Sequence, residues 1–304
     1  MTKIAINGLG RMGKLVIRSF IDLGLEAEIV LLNDAAGDAA LHAHLLEFDT
    51  VHGRWHADFA HTQDSISIDG VDMRFTSTRD LQDLPLAELG VDLVVDCTGA
   101  FKTNAKLQPY FDAGVKKVVV SAPVKEDDAA NIVYGVNHDI YDPAAHRVVT
   151  AASCTTNCIA PVVQVIRAHL GIEQASFTTI HNVTNTQTIV DKVHKDARRA
   201  RSALNSLIPT TTGSAKAIIQ IFPDLEGRID GHAVRVPLLN ASLTDIVIDV
   251  SRDTTAQEVN ALFEAAAQNE LEGILGYETR PLVSCDFTND DRSTIVDALS
   301  TRVV

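Results

Sequence analysis

The chain has 304 residues, about twice the length of a typical domain of roughly 150 residues, which predicts two domains. Hydrophobic residues make up 46% and charged residues 22%, a balance typical of globular proteins. Forty acidic residues against 26 basic ones give a formal net charge of −14, which argues against binding to nucleic acid or to an anionic membrane surface.

The other global features indicate a cytoplasmic protein. No apolar run approaches the roughly 18 residues that a membrane span needs. The first residues, MTKIAINGLG, lack the charged and apolar regions of a secretory signal. The four cysteines are too few for a disulfide scaffold and are expected to be free thiols. We therefore expect a soluble protein without a membrane partner.

Short apolar strands alternate with helical stretches in the first half of the chain, which is typical of a doubly wound parallel sheet. The segment Trp55–Phe75 alternates around Asp69-Gly70 and predicts an antiparallel excursion. The predicted elements are a strand at Lys3–Asn7, a helix at Gly10–Gly24, a strand at Ala27–Asn33, a strand at Asp92–Cys97, a helix at Thr103–Gly114 and a strand at Lys116–Ser121.

Longer strands and fewer helices follow in the second half, which predicts an α+β domain with a mainly antiparallel sheet. Thr255 and Glu258 form a capping-box pattern at the start of the last predicted helix, which runs to about Gln268. The earlier elements are a helix from about Ser153 to His169 and strands at Ala175–Asn182, His232–Pro237 and Ser242–Val250. The predicted domains are residues 1–152, a Rossmann-type dinucleotide-binding domain, and 153–304, a catalytic domain.

A glycine-rich loop, Gly8-Leu9-Gly10-Arg11-Met12-Gly13, joins the first strand to the first helix. Its glycines permit a tight turn, close approach of a pyrophosphate and close helix–strand packing, although glycines also serve plain turns. Asp34, 21 residues after Gly13, can accept a hydrogen bond from a ribose 2′-OH and would repel a 2′-phosphate, which favours NAD. The predicted cofactor-binding residues are Gly8, Gly10, Arg11, Met12, Gly13, Asp34, Thr98 and Ser121.

Cys154 lies in the first turn of a predicted helix, in the stretch Ala152-Ser153-Cys154-Thr155-Thr156-Asn157-Cys158. The helix dipole there favours a thiolate, so Cys154 is either a nucleophile or a structural cysteine. One turn further in, Cys158 is expected to be a small buried hydrophobe. A metal site is not expected, because no Cys/His pairs with ligand spacing accompany these cysteines.

Among the 11 histidines, His181 is the first candidate for a general base, because it ends a strand and precedes a polar cluster. His194 and His232 are the alternatives.

Basic and hydroxyl-bearing residues further along the chain could bind oxyanions. The cluster Arg198-Arg199-Ala200-Arg201 could equally be a solvated face, as such clusters usually are. The turn Ile208-Pro209-Thr210-Thr211-Thr212-Gly213 leads into another helix start, and Arg235 precedes a proline. Hydroxyls, backbone N–H groups and guanidinium groups are the components of phosphate sites, and two such sites fit this set.

Taken together, these stretches resemble the phosphorylating glyceraldehyde-3-phosphate dehydrogenase family over essentially the whole chain. The stretches that carry the resemblance are INGLGRMG, ASCTTNC, HKDARRAR, IPTTTGSAKA, VRVP and EGILGY. The resemblance implies oxidation of glyceraldehyde 3-phosphate to 1,3-bisphosphoglycerate, the glycolytic reaction, with hydride transfer to NAD. It also implies a homotetramer.

The resemblance makes Cys154 the nucleophile, which forms a thiohemiacetal and then a thioester, and His181 its base. Inorganic phosphate would then cleave the thioester. Thr184 and Arg235 match the site for the C3 phosphate of the substrate. The residues that match the site for the attacking phosphate are Ser153, Thr155, Arg199, Thr212 and Gly213.

Two departures from the family pattern suggest finer hypotheses. Lys192 and Val193 stand where the family has a small or apolar residue and a proline, near the adenosine end of the cofactor, so NADP is a possible second cofactor. His181 is followed by Asn-Val-Thr-Asn-Thr-Gln, which is similar to a bacterial subgroup associated with arsenic-resistance genes. In that role arsenate would replace phosphate and give an unstable acyl arsenate.

The family continues past the point where this sequence stops, at Ser300–Val304, with a strand, a Tyr-Asp-Asn-Glu motif and a terminal helix. We therefore expect a fragment or the visible part of a longer chain. Two alternative functions remain open. One is erythrose-4-phosphate dehydrogenase, and the other is a catalytically silent NAD-binding scaffold.

Overall fold

A computed structural model describes residues 1–126 and 128–304 and divides the chain into two units. The first unit comprises Met1–Ile132 and Asp139–Ala152. The second comprises Val133–His138 and Ser153–Val304.

The first unit is built on a nine-stranded sheet with the order β10-β11-β9-β8-β1-β2-β7-β6-β5. All pairings are parallel from β10 to β7, whereas β7, β6 and β5 pair antiparallel at one edge. Its strands are β1 (Thr2–Asn7), β2 (Ala27–Asn33), β5 (Phe59–His61), β6 (Ser65–Ile68), β7 (Val71–Thr76), β8 (Leu93–Asp96), β9 (Lys117–Val120), β10 (Ala129–Asn131) and β11 (Val148–Thr150). A separate two-stranded ribbon pairs β3 (Phe48–Asp49) with β4 (Gly53–Arg54).

Helices cover both faces of this sheet. They are α1 (Arg11–Asp22), α2 (Ala39–Glu47), α3 (Leu86–Leu89) and α4 (Asn104–Asp112). Ile4 and Ile6 of β1 belong to one apolar cluster, together with residues of α1 and α2, whereas Ala5 belongs to the other cluster, with residues of α4. Because both faces are buried, the strands read as continuous apolar runs. The predicted α/β Rossmann-type fold of this unit is confirmed.

A buried polar network joins the carboxyl ends of the central strands. Asn33 donates to Asn7 at 2.7 Å, and Asn7 donates to the hydroxyl of Tyr110 at 2.5 Å. Tyr110 in turn donates to Asp96 at 2.7 Å. Burial of the Asp96 carboxyl raises its pKa, an effect larger than the opposing hydrogen bonds from Tyr110 and Thr98. These bonds tie β2, β1 and β8 together beneath the glycine-rich loop.

The second unit contains a four-stranded sheet with the order β13-β14-β12-β15. Its outer pairings are antiparallel, but β12 and β14 run parallel, and their register places His181 beside Arg235. The sheet is therefore mixed, with the expected antiparallel pairs around one parallel pair. Its strands are β12 (Gln174–His181), β13 (Ile208–Thr210), β14 (Ile229–Arg235) and β15 (Ser242–Asp249), and a separate parallel pair joins β16 (Leu275–Glu278) to β17 (Thr294–Asp297).

The helices of the second unit are α5 (Cys154–His169), α6 (Ser214–Ile221) and α7 (Ala256–Gln268). Thr255 caps α7 by accepting a hydrogen bond from the Glu258 N–H, as predicted. The capping-box pattern also predicts that the Glu258 carboxylate accepts from the Thr255 N–H. That part of the prediction is wrong, because the carboxylate accepts from Thr254 and Arg252 instead. No helix formed by residues 1–126 and 128–304 has the length and apolar character needed to cross a bilayer.

Candidate active site

In the glycine-rich loop of the first unit, close contacts with neighbouring backbone require glycine at two positions, Gly8 and Gly13. Gly8 has φ +94°, and a Cβ there would lie 2.6 Å from the backbone nitrogen of Thr98. A Cβ on Gly13 would lie 2.0 Å from the carbonyl oxygen of Gly8. Gly10 differs, because a Cβ there would meet no atom within 4 Å. The space beside Gly10 is therefore open to a ligand.

The start of α1 suits an anion at this opening. Gly10 is the N-cap and provides no side-chain hydrogen bond to the helix, and the first turn carries no acidic residue. The N–H groups and the positive dipole end of a helix attract negative charge. Arg11 and Met12 lie in this turn, where Met12 is exposed. The predicted pyrophosphate position is thus open, positively polarised and close to the backbone.

Asp34 follows β2, and its carboxylate is held by two backbone groups. Oδ2 accepts from the Leu9 N–H at 2.7 Å, and Oδ1 accepts from the Ala36 N–H at 3.0 Å. Each oxygen keeps a further lone pair for a ribose hydroxyl. The residues present therefore fit a dinucleotide.

The other two predicted cofactor residues lie after neighbouring strands. The Thr98 hydroxyl donates to Asp96 at 2.7 Å, and Thr98 is exposed. Ser121 is half-buried and is hydrogen-bonded to Cys97. Burial raises the pKa of Cys97 to about 11, against the lowering effect of Ser121, so Cys97 is a poor candidate nucleophile.

A pocket of about 420 Å³ in the first unit was missed by the sequence analysis. Its lining includes Arg79, Leu81, Phe101 and Pro109. Arg79 makes no hydrogen bond or ion pair with any residue in the described part of the chain. Arg79 and Phe101 follow β7 and β8, and the carboxyl ends of parallel strands are where ligands bind in such sheets. The position of these two residues after strands was the one signal in the sequence that could have indicated this pocket.

The second unit brings Cys154 and His181 into contact. Ser153 caps α5 and places Cys154 at its first position. His181 ends β12, and its Nε2 lies 3.3 Å from the Cys154 Sγ. Partial burial of the sulfur disfavours the thiolate, but hydrogen bonds and charge from His181, with help from Thr155, lower the pKa of Cys154 overall. The pair therefore has the arrangement of an activated nucleophile and its base.

Arg235 lies beside His181 because β12 and β14 are paired in parallel. The carbonyl oxygen of Asn182 is 2.8 Å from both the His181 Nδ1 and the Arg235 Nη1, and it accepts from both. This keeps the proton on Nδ1 and leaves Nε2 to exchange a proton near the sulfur. Arg235 Nη1 lies 2.8 Å from Nδ1 but does not donate to it, because Nδ1 carries the proton. Arg235 and the imidazole instead share the Asn182 carbonyl as their acceptor.

Arg235 and Arg199 make this site electropositive. Burial and the nearby charge of Arg199 lower the pKa of Arg235, while the Cys154 thiolate raises it. The Arg235 Nε is buried and has no hydrogen-bond partner among the described residues. An unpaired buried guanidinium N–H is costly, and an oxyanion would satisfy it.

Two groups of hydroxyls accompany these arginines. The first group lies at the starts of α5 and α6. There the Ser153 Oγ is 3.5 Å from the Ser214 Oγ, and the Thr212 hydroxyl donates to the Ser214 Oγ at 3.0 Å. Gly213 is the N-cap of α6 in this group. Thr155 is buried and hydrogen-bonds to Cys154. Ser214 was missed by the sequence analysis.

In the second group, the hydroxyl oxygens of Thr184 and Thr186 are 3.0 Å apart, and the Arg199 Nη1 donates to the Thr186 hydroxyl at 3.2 Å. The side-chain oxygen of Gln187 accepts from both the N–H and the hydroxyl of Thr184. Arg199 also forms an ion pair with Asp196 at 3.4 Å, so its guanidinium lies between Asp196 and the Thr184 group. The sequence analysis assigned no role to Thr186 or Gln187, which it included only in the Asn-Val-Thr-Asn-Thr-Gln run after His181.

Several candidates do not join this arrangement. The imidazole of His194 pairs with the backbone of Asp196, and His232 is exposed on β14. Arg201 forms an ion pair with Asp191 at 2.8 Å and is a solvated residue.

The expectation for Cys158 is wrong in part. The residue is only half-buried, and its sulfur lies 3.7 Å from the Thr244 hydroxyl and 3.5 Å from that of Thr294. Packing of β15 and β17 against α5 puts hydroxyls rather than apolar groups there. Within the described ranges, no three His, Cys, Asp or Glu side chains are grouped to hold a metal ion.

Comparisons with known proteins match both units. A family model described as "Glyceraldehyde 3-phosphate dehydrogenase, NAD binding domain" matches residues 2–104, and one described as "Glyceraldehyde 3-phosphate dehydrogenase, C-terminal domain" matches residues 153–304. The chain is 56% identical to glyceraldehyde-3-phosphate dehydrogenase 3 of Nostoc sp., over 99% of this chain and 89% of the relative. It is 46% identical to glyceraldehyde-3-phosphate dehydrogenase 1 of Bacillus cereus, over 100% of this chain and 90% of the relative.

The contrast between Gly10 and Gly13 gives a matched test of the loop. Gly10→Ala adds a methyl group to open space, so it should cost about 1 kcal/mol or less in stability but weaken NAD binding on the order of tenfold. Gly13→Ala must displace the Gly8 carbonyl and should destabilise the protein by about 3 kcal/mol. Chemical denaturation and calorimetric titration with NAD measure these effects. Unchanged NAD affinity in a folded Gly10→Ala protein would contradict this assignment.

Removal of the imidazole should make Cys154 less reactive at neutral pH. His181 lowers the pKa of Cys154, so His181→Ala should shift the midpoint of iodoacetamide labelling to higher pH. At a fixed pH below the midpoint, a rise of the midpoint by one pH unit lowers the thiolate fraction about tenfold. Peptide mass spectrometry at a series of pH values follows the labelling. The exposed Cys285 is the internal control, and an identical Cys154 profile in both proteins would exclude the proposed pairing.

Proposed function

Since the chain belongs to the glyceraldehyde-3-phosphate dehydrogenase family and its cofactor is NAD, we propose that Cys154 and His181 carry out its chemistry. The family and the cofactor inferred from the sequence are thereby confirmed. The chain is an NAD-dependent oxidoreductase that acts on glyceraldehyde 3-phosphate and phosphate. The observation that carries the proposal is the 3.3 Å contact between the Cys154 sulfur and His181.

The Cys154 thiolate attacks the aldehyde carbon, and the oxyanion that forms takes a proton from His181 Nε2 to give a thiohemiacetal. The lowered pKa of Cys154 increases the fraction of this nucleophile that is ionised at a given pH. His181 Nε2 accepts the hydroxyl proton as the carbonyl reforms, and the Asn182 carbonyl holds the ring through Nδ1. Bound NAD supplies the acceptor for the hydride. The product on the enzyme is a thioester of Cys154.

A thioester suits the second half of the reaction because it keeps the free energy of the oxidation for transfer to phosphate. Attack by inorganic phosphate breaks the carbon–sulfur bond, forms the acyl phosphate and restores the Cys154 thiolate. We assign the attacking phosphate to the hydroxyl group at the starts of α5 and α6, with Arg199. The residues assigned to it are Ser153, Thr155, Thr212, Gly213 and Arg199.

The C3 phosphate of the substrate is assigned to Thr184 and Arg235. The buried, unpaired Nε of Arg235 and the adjacent charge of Arg199 support an anion at this position. Thr186 and Gln187 complete the surroundings of Thr184. The proposal thus puts the C3 phosphate beside the arginines and the aldehyde carbon next to the Cys154 sulfur, where His181 Nε2 lies.

In the first unit, we assign the NAD pyrophosphate to the start of α1 beside Gly10 and the adenosine ribose to Asp34. The open space at Gly10 and the two backbone bonds to Asp34 support this assignment. The pocket lined by Arg79 and Phe101 offers an aromatic face and an unpaired cation, which suit a flat heterocycle such as adenine.

Arsenate is a second acceptor in this proposal, because it is a tetrahedral oxyanion like phosphate and fits the same hydroxyls and arginines. The Asn-Val-Thr-Asn-Thr-Gln run after His181 supports placement in the arsenic-resistance subgroup. We also propose the cytoplasm as the location, since Cys97, Cys154, Cys158 and Cys285 are free thiols, as in reducing compartments.

A homotetramer is proposed for the assembly. The outer face of the β12–β15 sheet exposes Ile180, Leu243 and Val247, and the first two are directly paired across the strands. Asp245 lies between Leu243 and Val247 on this face, and exposed apolar side chains interspersed with polar ones are typical of a protein–protein interface. A second copy of the chain is the proposed occupant of this face.

The acceptor step is tested by initial rates of NADH formation from glyceraldehyde 3-phosphate. With neither acceptor we expect a burst of about one NADH per active site followed by slow turnover, and steady turnover with either phosphate or arsenate. Thr212→Val should raise KM for phosphate severalfold, whereas Thr210→Val, which removes a hydroxyl without a hydrogen-bond partner, should leave it unchanged. Fast steady turnover without acceptor would contradict the mechanism. A higher kcat/KM with erythrose 4-phosphate would favour the sister activity.

The interface is tested by light scattering after size exclusion. The protein should have about four times the 32.8 kDa mass of the chain. Leu243→Asp should reduce this mass, because it places a charge in the proposed interface. Leu23→Asp changes a leucine at the end of α1 that is even more exposed than Leu243, and it is the control. A monomeric wild-type protein would exclude the tetramer.

A further inference from the structure

A buried histidine on α2 contacts the loop that follows Asp34. His42 is almost fully buried, and its Nε2 lies 2.8 Å from the carbonyl oxygen of Ala36. A carbonyl only accepts hydrogen bonds, so the ring proton is on Nε2. The other nitrogen, Nδ1, is buried and has no hydrogen-bond partner in the described part of the chain.

The surroundings of His42 are otherwise apolar. Ala39, Ala43 and Leu46 of the same helix are buried in the adjacent apolar cluster, and the Phe75 ring lies 5.5 Å from the imidazole. A buried ring nitrogen without a partner is unfavourable, and an aliphatic side chain would avoid it. The contribution particular to histidine at this position is therefore the hydrogen bond to Ala36.

That hydrogen bond begins a continuous chain to the glycine-rich loop. The Ala36 N–H donates to Asp34 Oδ1 at 3.0 Å, and Asp34 Oδ2 accepts from the Leu9 N–H at 2.7 Å. Gly37 has φ +82°, and a Cβ there would lie 3.0 Å from the His42 Nε2, so the loop packs directly on the imidazole. His42 thereby holds the loop at Ala36 and Gly37, and this loop in turn holds the Asp34 carboxylate.

We propose that His42 is a positioning residue that sets the preference for NAD over NADP by holding the Asp34 loop. The Asp34 carboxylate accepts from a ribose 2′-OH and repels a 2′-phosphate, and both effects depend on where the carboxylate is held. The inference rests on the role proposed above for Asp34. It assigns the selectivity to a side chain that does not itself touch the cofactor.

Calorimetric titration of the purified protein with NAD and with NADP tests this proposal. His42→Leu removes the donor and should raise the Kd for NAD about fivefold and lower the ratio of the NADP Kd to the NAD Kd by a similar factor. His42→Gln keeps an N–H donor and should recover most of the ratio. His44→Leu changes an exposed histidine on the same helix and should leave both Kd values unchanged.

His42→Met is a second apolar variant for use if His42→Leu does not fold. Asp34→Ala separates the inference from the proposed function. If Asp34→Ala lowers the ratio and neither apolar His42 variant does, the inference is overturned and the role of Asp34 stands. If Asp34→Ala leaves the ratio unchanged, the assigned role of Asp34 fails, and the inference fails with it. The inference would also be overturned if His42→Gln lowered the ratio of the NADP Kd to the NAD Kd as much as His42→Leu does. A merely structural defect would then explain both variants.

Discussion

The parallel pairing of β12 with β14 is the constraint on which the chemistry of the second unit depends. It places the last residues of the two strands, His181 and Arg235, side by side at one end of the sheet. A slip of one residue would turn His181 to the other face, away from Cys154. The same pairing lets one carbonyl, that of Asn182, accept from both side chains. The base and the anion-binding cation thus share one structural origin, and the start of α5 brings the nucleophile to them.

In the first unit the requirement is different, because backbone N–H groups must be held close to an anion. The buried network through Asn7, Tyr110 and Asp96 fastens the strand ends that support the glycine-rich loop. The net charge of −14 does not conflict with a small anionic substrate, because the positive groups are local. Helix N-termini and a few arginines provide them within an acidic surface.

The features predicted correctly from sequence are those that depend on neighbours in the chain. The glycine-rich loop before α1 and the position of Cys154 at the start of α5 are examples, since strand, turn and helix signals lie within a few residues. The features that were missed depend on distant pairing. Ser214 meets Ser153 from 61 residues along the chain, and the environment of Cys158 is decided by hydroxyls from β15 and β17. The Glu258 carboxylate was placed wrongly because Arg252 and Thr254 compete for it.

The central claim is that this member of the glyceraldehyde-3-phosphate dehydrogenase family works through a thioester on Cys154. Acid-quench mass spectrometry after mixing the protein with glyceraldehyde 3-phosphate and NAD, in the absence of phosphate, tests it most directly. The account predicts a phosphoglyceroyl adduct on the peptide that contains Cys154, and its loss when phosphate is added. NADH formation without such an adduct, or an adduct that phosphate does not discharge, would contradict it.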